Sequence, residues 1–183
     1  MRSTGPRPPS LALCAAILAL AASPPPLHAQ HGAHSPYAGS GSEEVQTLTP
    51  QEVAGLLEGE GMGLARPAEL NGYPGPRHVL DLADSLRLSD EQRRLTQETF
   101  DAMQERAAEL GRRIVDEEKA LDAGFAAAAD AAALEARVRE VGRLRAELRW
   151  THLAAHLRMV EILSVHQRHE YDRLRGYGGH THG

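Results

Sequence analysis

The stretch that decides the fold is residues 88–125, LSDEQRRLTQETFDAMQERAAELGRRIVDEEKALDAGF. It opens with Leu88-Ser89-Asp90-Glu91-Gln92, a capping box in which Ser89 caps a helix and Gln92 reaches back to it. Downstream, Phe100, Met103, Ala107, Leu110, Ile114, Leu121 and Phe125 recur in alternating steps of three and four, with Glu117 on the one step that lacks an apolar residue. This pattern predicts one long amphipathic helix. After the alanines at 126–129, Asp130 reads as the cap of another. That second helix carries its own seam, Leu134, Val138, Val141, Leu148, Ala155, Met159 and Ile162, with Arg145 and His152 on the remaining steps. Two long antiparallel helices joined by a short turn bury both stripes, so the fold class is all-α, a long antiparallel helical hairpin with short flanking helices. A second capping spelling, Leu163-Ser164-Val165-His166-Gln167, predicts a break near Ser164 and a short last helix ending near Arg175.

Toward the N-terminus, Pro76 opens a short helix expected over Arg77 to about Leu86. Farther back, Thr49-Pro50-Gln51-Glu52 combines a cap, a proline at the first helical position and a reciprocal carboxylate. That helix should stop near Leu57, ahead of the glycines at 59, 61 and 63. The rest of 47–76 is turn-rich, and its segment AELNGYPGP has no reading from sequence. Residues 30–46 are polar, Gly/Ser-rich and without period, which predicts a flexible lead-in, and 176–183, GYGGHTHG, predicts a flexible tail.

Residues 1–29 carry the marks of a secretory leader: Arg2 and Arg7, an apolar run Leu11 to Ala22, and Leu27-His28-Ala29 as cleavage site. The run is shorter than the ~20 residues a membrane span needs, and the prolines 24–26 end it, so the processed chain is not expected to span a membrane. Bulky Leu13 before Cys14, with most of the apolar run after it, argues against lipid attachment. Removing 29 of 183 residues leaves 154, without cysteine, and 18 basic against 25 acidic residues once Arg2 and Arg7 are gone. Nucleic acid is then an unsuitable partner, since phosphate binding wants a basic face. Two phenylalanines and one tryptophan give little aromatic area, so one face of each arm should remain for a homodimer to cover.

The paired elements Leu88, Ser89, Gln92 and Leu163, Ser164, Gln167 resemble the twin Leu-Thr-x-x-Gln motifs of the Spy/CpxP family, with serine in place of threonine in both copies. The resemblance covers about 77–175. That family includes ZraP-like zinc proteins and CnrX-like metal sensors. It implies a bent four-helix hairpin, usually dimeric, in the bacterial periplasm, serving as an ATP-independent chaperone, a stress adaptor or a metal sensor. The partners it implies are unfolded clients or a membrane sensor protein.

His152 and His156 are spaced i, i+4, which places both imidazoles on one face about a turn apart, a spacing able to share a metal. The metal-sensing relatives use a similar histidine pair on this arm. Antiparallel pairing about residue 129 offers Asp101 or Glu105 as a carboxylate ligand, with His78 as a fourth. Such a set suits zinc, nickel, cobalt or copper, and no organic cofactor is implied. The competing reading makes His152 a hydrogen-bonded core histidine. Glu117 and Arg145, which interrupt facing seams, read as a buried or half-buried ion pair fixing register, in preference to Glu117 as a metal ligand, since antiparallel pairing puts no histidine near it. Histidines 31, 34, 180 and 182 lie on glycine-flanked ends, where ordering them costs entropy. No His-Glu-x-x-His, Glu-x-x-His, cysteine nucleophile or phosphate-cradling glycine loop occurs after the leader, so an enzyme is not expected. The arginines at 137, 139, 143, 145, 149 and 158 supply a basic surface for clients, or simply solvate the outer face beside Glu140 and Glu147.

Overall fold

The computed structural model describes residues 45–177, which form six helices and no strand. They are α1 (Pro50–Glu58), α2 (Arg66–Glu69), α3 (Pro76–Asp81), α4 (Asp90–Ala126), α5 (Ala131–Ile162) and α6 (Val165–Leu174). The leader, most of the lead-in and positions 178–183 of the tail lie outside the described residues. No helix among the described residues is long and apolar enough to cross a membrane.

Helices α4 and α5 pack along each other as the hairpin. Their antiparallel register shows in the cross-pairs Arg106–Glu147, Arg113–Glu140 and Arg137–Glu117. Every expected cap is in place: Thr49, Ser89 and Ser164 each form a complete capping box, and Asp130 accepts from the Ala133 amide. These satisfy amide groups that a helix start otherwise leaves unpaired. The hairpin turn passes through Ala128, a non-glycine residue at φ 52°.

Two apolar clusters hold the chain. The larger joins Leu56 of α1 and Val45 and Leu48 before it to Leu110, Ile114, Leu144 and Leu148 at the middle of the hairpin. Side chains such as Leu110 and Leu144, 0% exposed, each contribute about 1.5–3 kcal/mol by leaving water. Gly111 lets α1 lie directly on α4: a Cβ there would stand 1.9 Å from the Leu56 carbonyl oxygen. The second cluster, at the open end, gathers Val79, Leu86, Leu88, Met159, Leu163 and Tyr171.

Several expectations change. Ordered structure reaches back to Val45, inside the stretch read as lead-in, because Val45 is buried and the Gln46 amide donates to Asp122 Oδ2 (2.9 Å). Helix α3 ends at Asp81 rather than near Leu86: turns follow, with Arg87 at φ 51°, so that Leu86 and Leu88 both enter the second cluster. Helix α2 has no counterpart in the sequence reading. The seams hold at mid-hairpin but not at the tip, where Phe125 and Val138 are exposed.

Arg145 and Glu117 do not pair. Leu144 takes the buried seam position, which rotates Arg145 outward to Glu118 Oε1 (2.9 Å), while Glu117 meets Arg137 (3.3 Å). The buried carboxylate is therefore Glu118, whose other oxygen accepts from Thr47 Oγ1 (2.9 Å). A buried charge with two donors is compensated, and this one ties the N-terminal segment to the hairpin.

Candidate functional site

The site lies where the turn-rich residues 59–75 run across α5. His152 and His156 occupy successive turns of α5 and are both buried, at 3% and 9% exposure. The chain above them comes closest at Gly75, where a Cβ would sit 3.0 Å from His156 Cε1, while Gly61 lies over His152 with room for a Cβ at 3.8 Å from Nδ1.

His156 Nδ1 lies 2.7 Å from the Tyr73 carbonyl oxygen. A carbonyl only accepts, so Nδ1 carries the proton and Nε2 holds the lone pair, the tautomer suited to a metal or a donor. Glu69 Oε2 stands 3.6 Å from the same Nδ1 and accepts from the Gly75 amide at 3.1 Å. The other oxygen, Oε1, accepts from the hydroxyls of Tyr171 and, at 3.3 Å, Tyr177, with Arg175 Nε 3.6 Å away. Glu69 thus fastens α2 to both α5 and α6. Burial, then the bond to Glu69, pushes the Tyr171 hydroxyl well above its ordinary pKa.

His152 differs. Its Nε2 is sealed from solvent without a hydrogen-bond partner. Burial first, and the neighbouring His156 second, lower its pKa, so the ring is held neutral. The reading of His152 as a core histidine with a buried partner is not met on this nitrogen.

A cavity of about 460 Å³ opens here, and His78, His152 and His156 all line it. The structure thus brings three of the five anticipated ligands to one place. Asp101 and Glu105 are not among them: both are exposed on α4, and Asp101 accepts from Gln97 on its own helix (2.8 Å). They fail because the histidines face the 59–75 segment, not the outer flank of α4. The nearest carboxylate is Glu69, which the sequence reading missed; the close run of glycines ahead of a histidine pair was the available sign of a backbone crossing. Among the described residues, no three His, Cys, Asp or Glu side chains are grouped so as to hold a metal ion. Two imidazoles with an engaged carboxylate fall short of the three or four protein donors of a closed transition-metal site.

The twin motifs meet at the open end of the hairpin. Gln92 Nε2 donates to Gln167 Oε1 (2.9 Å), and Gln167 Nε2 donates to Gln92 Oε1 (3.0 Å). Each oxygen also accepts its own cap amide, from Ser89 (3.1 Å) and Ser164 (2.9 Å). Each Nε2 reaches a main-chain carbonyl too, that of Ile162 for Gln92 and that of Leu86 for Gln167. Leu88 and Leu163 are buried beneath this pair. The motif residues therefore close the hairpin and present no reactive group.

On α5, Trp150 and Leu157 stand two turns apart on one stripe, 60% and 44% exposed, with Arg143 two turns before Trp150. A family model described as LTXXQ motif family protein matches residues 76–175. No curated protein and no solved structure matches the chain.

Proposed function

This chain belongs to the LTXXQ motif family, and on that premise we propose that it is a periplasmic stress protein whose hairpin engages unfolded clients or a membrane sensor protein without nucleotide, as a chaperone or adaptor. The observation that supports this best is the uncovered stripe of Trp150 and Leu157 among arginines. The fold leaves its largest aromatic side chain in water, although about 1.5–3 kcal/mol would follow from burying such a group. Val138, toward the hairpin tip, adds a further exposed apolar side chain. A homodimer across this arm belongs to the same proposal, since a second copy would cover part of the stripe; light scattering at micromolar concentration tests it, and a monomer mass refutes it.

Trp150 is the one tryptophan of the chain and reports directly. Addition of a reduced or thermally unfolded client should shift its fluorescence to the blue and suppress client aggregation. Trp150→Ala combined with Leu157→Ala should abolish suppression while the helical circular dichroism of the folded chain is unchanged. Unchanged suppression in that variant would exclude the stripe as the client surface.

Metal-responsive binding is the second reading, favoured by the His156 tautomer, which turns Nε2 into the available donor atom, with His152 one turn away. The imidazoles would hold zinc, nickel, cobalt or copper in an open, modest-affinity site, with His78 on the same cavity wall as a further ligand. Calorimetric titration of the chain lacking residues 176–183 with each ion tests this: His156→Ala should weaken binding at least about tenfold, or about 1.4 kcal/mol. Equal affinity in that variant would remove the site.

A further inference from the structure

We propose that the cavity between the 59–75 segment and α5 is a binding site for a small organic carboxylate, an anion with a short apolar body. The proposal does not rest on chaperone activity or on a bound metal. It rests on what the cavity offers and lacks.

The lining is cationic in effect. Arg66 and Arg77 both border the cavity. Arg66 has no ion pair among the described residues, and Arg77 lies 3.8 Å from Asp81 with its guanidinium over the Phe100 ring. The one carboxylate in the wall, Glu69, is taken up by Tyr171, Tyr177 and the Gly75 amide. A planar guanidinium without a partner matches a carboxylate in geometry as well as charge.

His152 supplies the second polar element. A neutral imidazole carries one N–H, and this ring has no hydrogen-bond partner among the described residues. Its Nε2 is sealed without a partner, whereas Nδ1 lies beneath Gly61, which also borders the cavity. Placing the proton on Nδ1 leaves the donor on that side, where a carboxylate oxygen would accept it. An N–H on Nδ1 facing the cavity would give a carboxylate oxygen a charge-assisted hydrogen bond, stronger than a neutral ligand could make there. Beside His78, His156 and Tyr177, the wall includes the apolar side chains of Ala65, Leu70, Pro76 and Met103, which suit a ring or short chain. At about 460 Å³ the space is of the size that small ligands occupy.

The test is calorimetric titration of the full chain, stripped of metal with chelator, using benzoate and its neutral isostere benzamide as probes. Benzoate should bind at least about tenfold more tightly than benzamide. Arg66→Gln, at a residue without an ion pair to lose, should bring benzoate down toward the benzamide level with thermal unfolding unchanged. In parallel, the His152 ring nitrogen resonances should shift with benzoate occupancy. Equal affinity of the two probes, no heat up to about 10 mM benzoate, or binding that Arg66→Gln leaves untouched would each overturn the proposal. So would saturable binding that leaves the His152 resonances in place, because the anion would then sit on surface arginines. Loss of aggregation suppression in the Trp150 variant bears on the client surface alone and leaves this titration unaffected.

Discussion

Replacing Gln92 and Gln167 by alanine, singly and together, should show that the two motif copies act as one unit. Gln92→Ala removes four hydrogen bonds: from Ser89 N–H, to the Ile162 carbonyl, and two with Gln167. At about 0.5–1.5 kcal/mol net each, reduced because water reaches part of the site, the cost comes to about 2–3 kcal/mol. Gln167→Ala loses the corresponding set, with Ser164 and Leu86 in place of Ser89 and Ile162. The two bonds shared by the glutamines are lost once, not twice, in the double variant. The cycle should therefore return a coupling of about 1–2 kcal/mol. Gln92→Glu separates the roles further: it keeps an oxygen for the Ser89 amide but sets a carboxylate oxygen against the Ile162 carbonyl and Gln167 Oε1, so it should destabilise although the cap survives. Urea unfolding followed by helical circular dichroism, at one fixed protein concentration, gives each value. A coupling below about 0.3 kcal/mol would mean two independent helix caps and refute the clasp.

Gly111→Ala should destabilise despite the helix propensity it gains, worth about 1 kcal/mol, because a Cβ 1.9 Å from the Leu56 carbonyl must push α1 away; a net loss of about 1–3 kcal/mol in the same unfolding assay is expected, and a stabilised variant would refute the contact. Ala128→Gly should stabilise by about 1 kcal/mol, since φ 52° costs alanine more than glycine; a lower unfolding temperature would contradict the turn. His152→Leu should leave the metal-free fold as stable or more so, as the Nε2 it removes has no partner; a loss of about 1–3 kcal/mol would reveal one. The pH dependence follows from the lowered His152 pKa: the unfolded chain takes up the proton first, so this contribution is complete above the unfolded value of about 6.5 and is lost as pH falls from there toward the folded value. His152→Leu should flatten the stability profile over that window, and an unchanged slope would assign it to other groups.

Much of the hairpin could be read from the chain because its instructions are local. Ser89, Ser164, Thr49 and Asp130 each bond an amide three residues on, so a short window contains the whole interaction. The apolar spacing of α4 and α5 fixed two helices and their antiparallel return, and the paired motifs pointed to the family. Periodicity left an uncertainty of one residue around the axis, which is why Leu144 and Glu118 stood where Arg145 and Glu117 had been expected. Packing settled that, because one helix rotation buries leucine and the alternative buries arginine.

The site was legible only in its histidines. Glu69 meets Tyr171 across 102 positions, His156 meets Tyr73 across 83, and Gln92 meets Gln167 across 75. No spacing rule links residues so far apart; they meet because α1 seats on Gly111, Gly75 lets the intervening chain lie against His156 of α5, and α6 folds back to present Tyr171. The sequence by itself determined where each long helix starts and stops and that two of them return on each other. Only the tertiary structure decided which side chains the crossing segment covers, since that depends on backbone approach distances that no local pattern encodes.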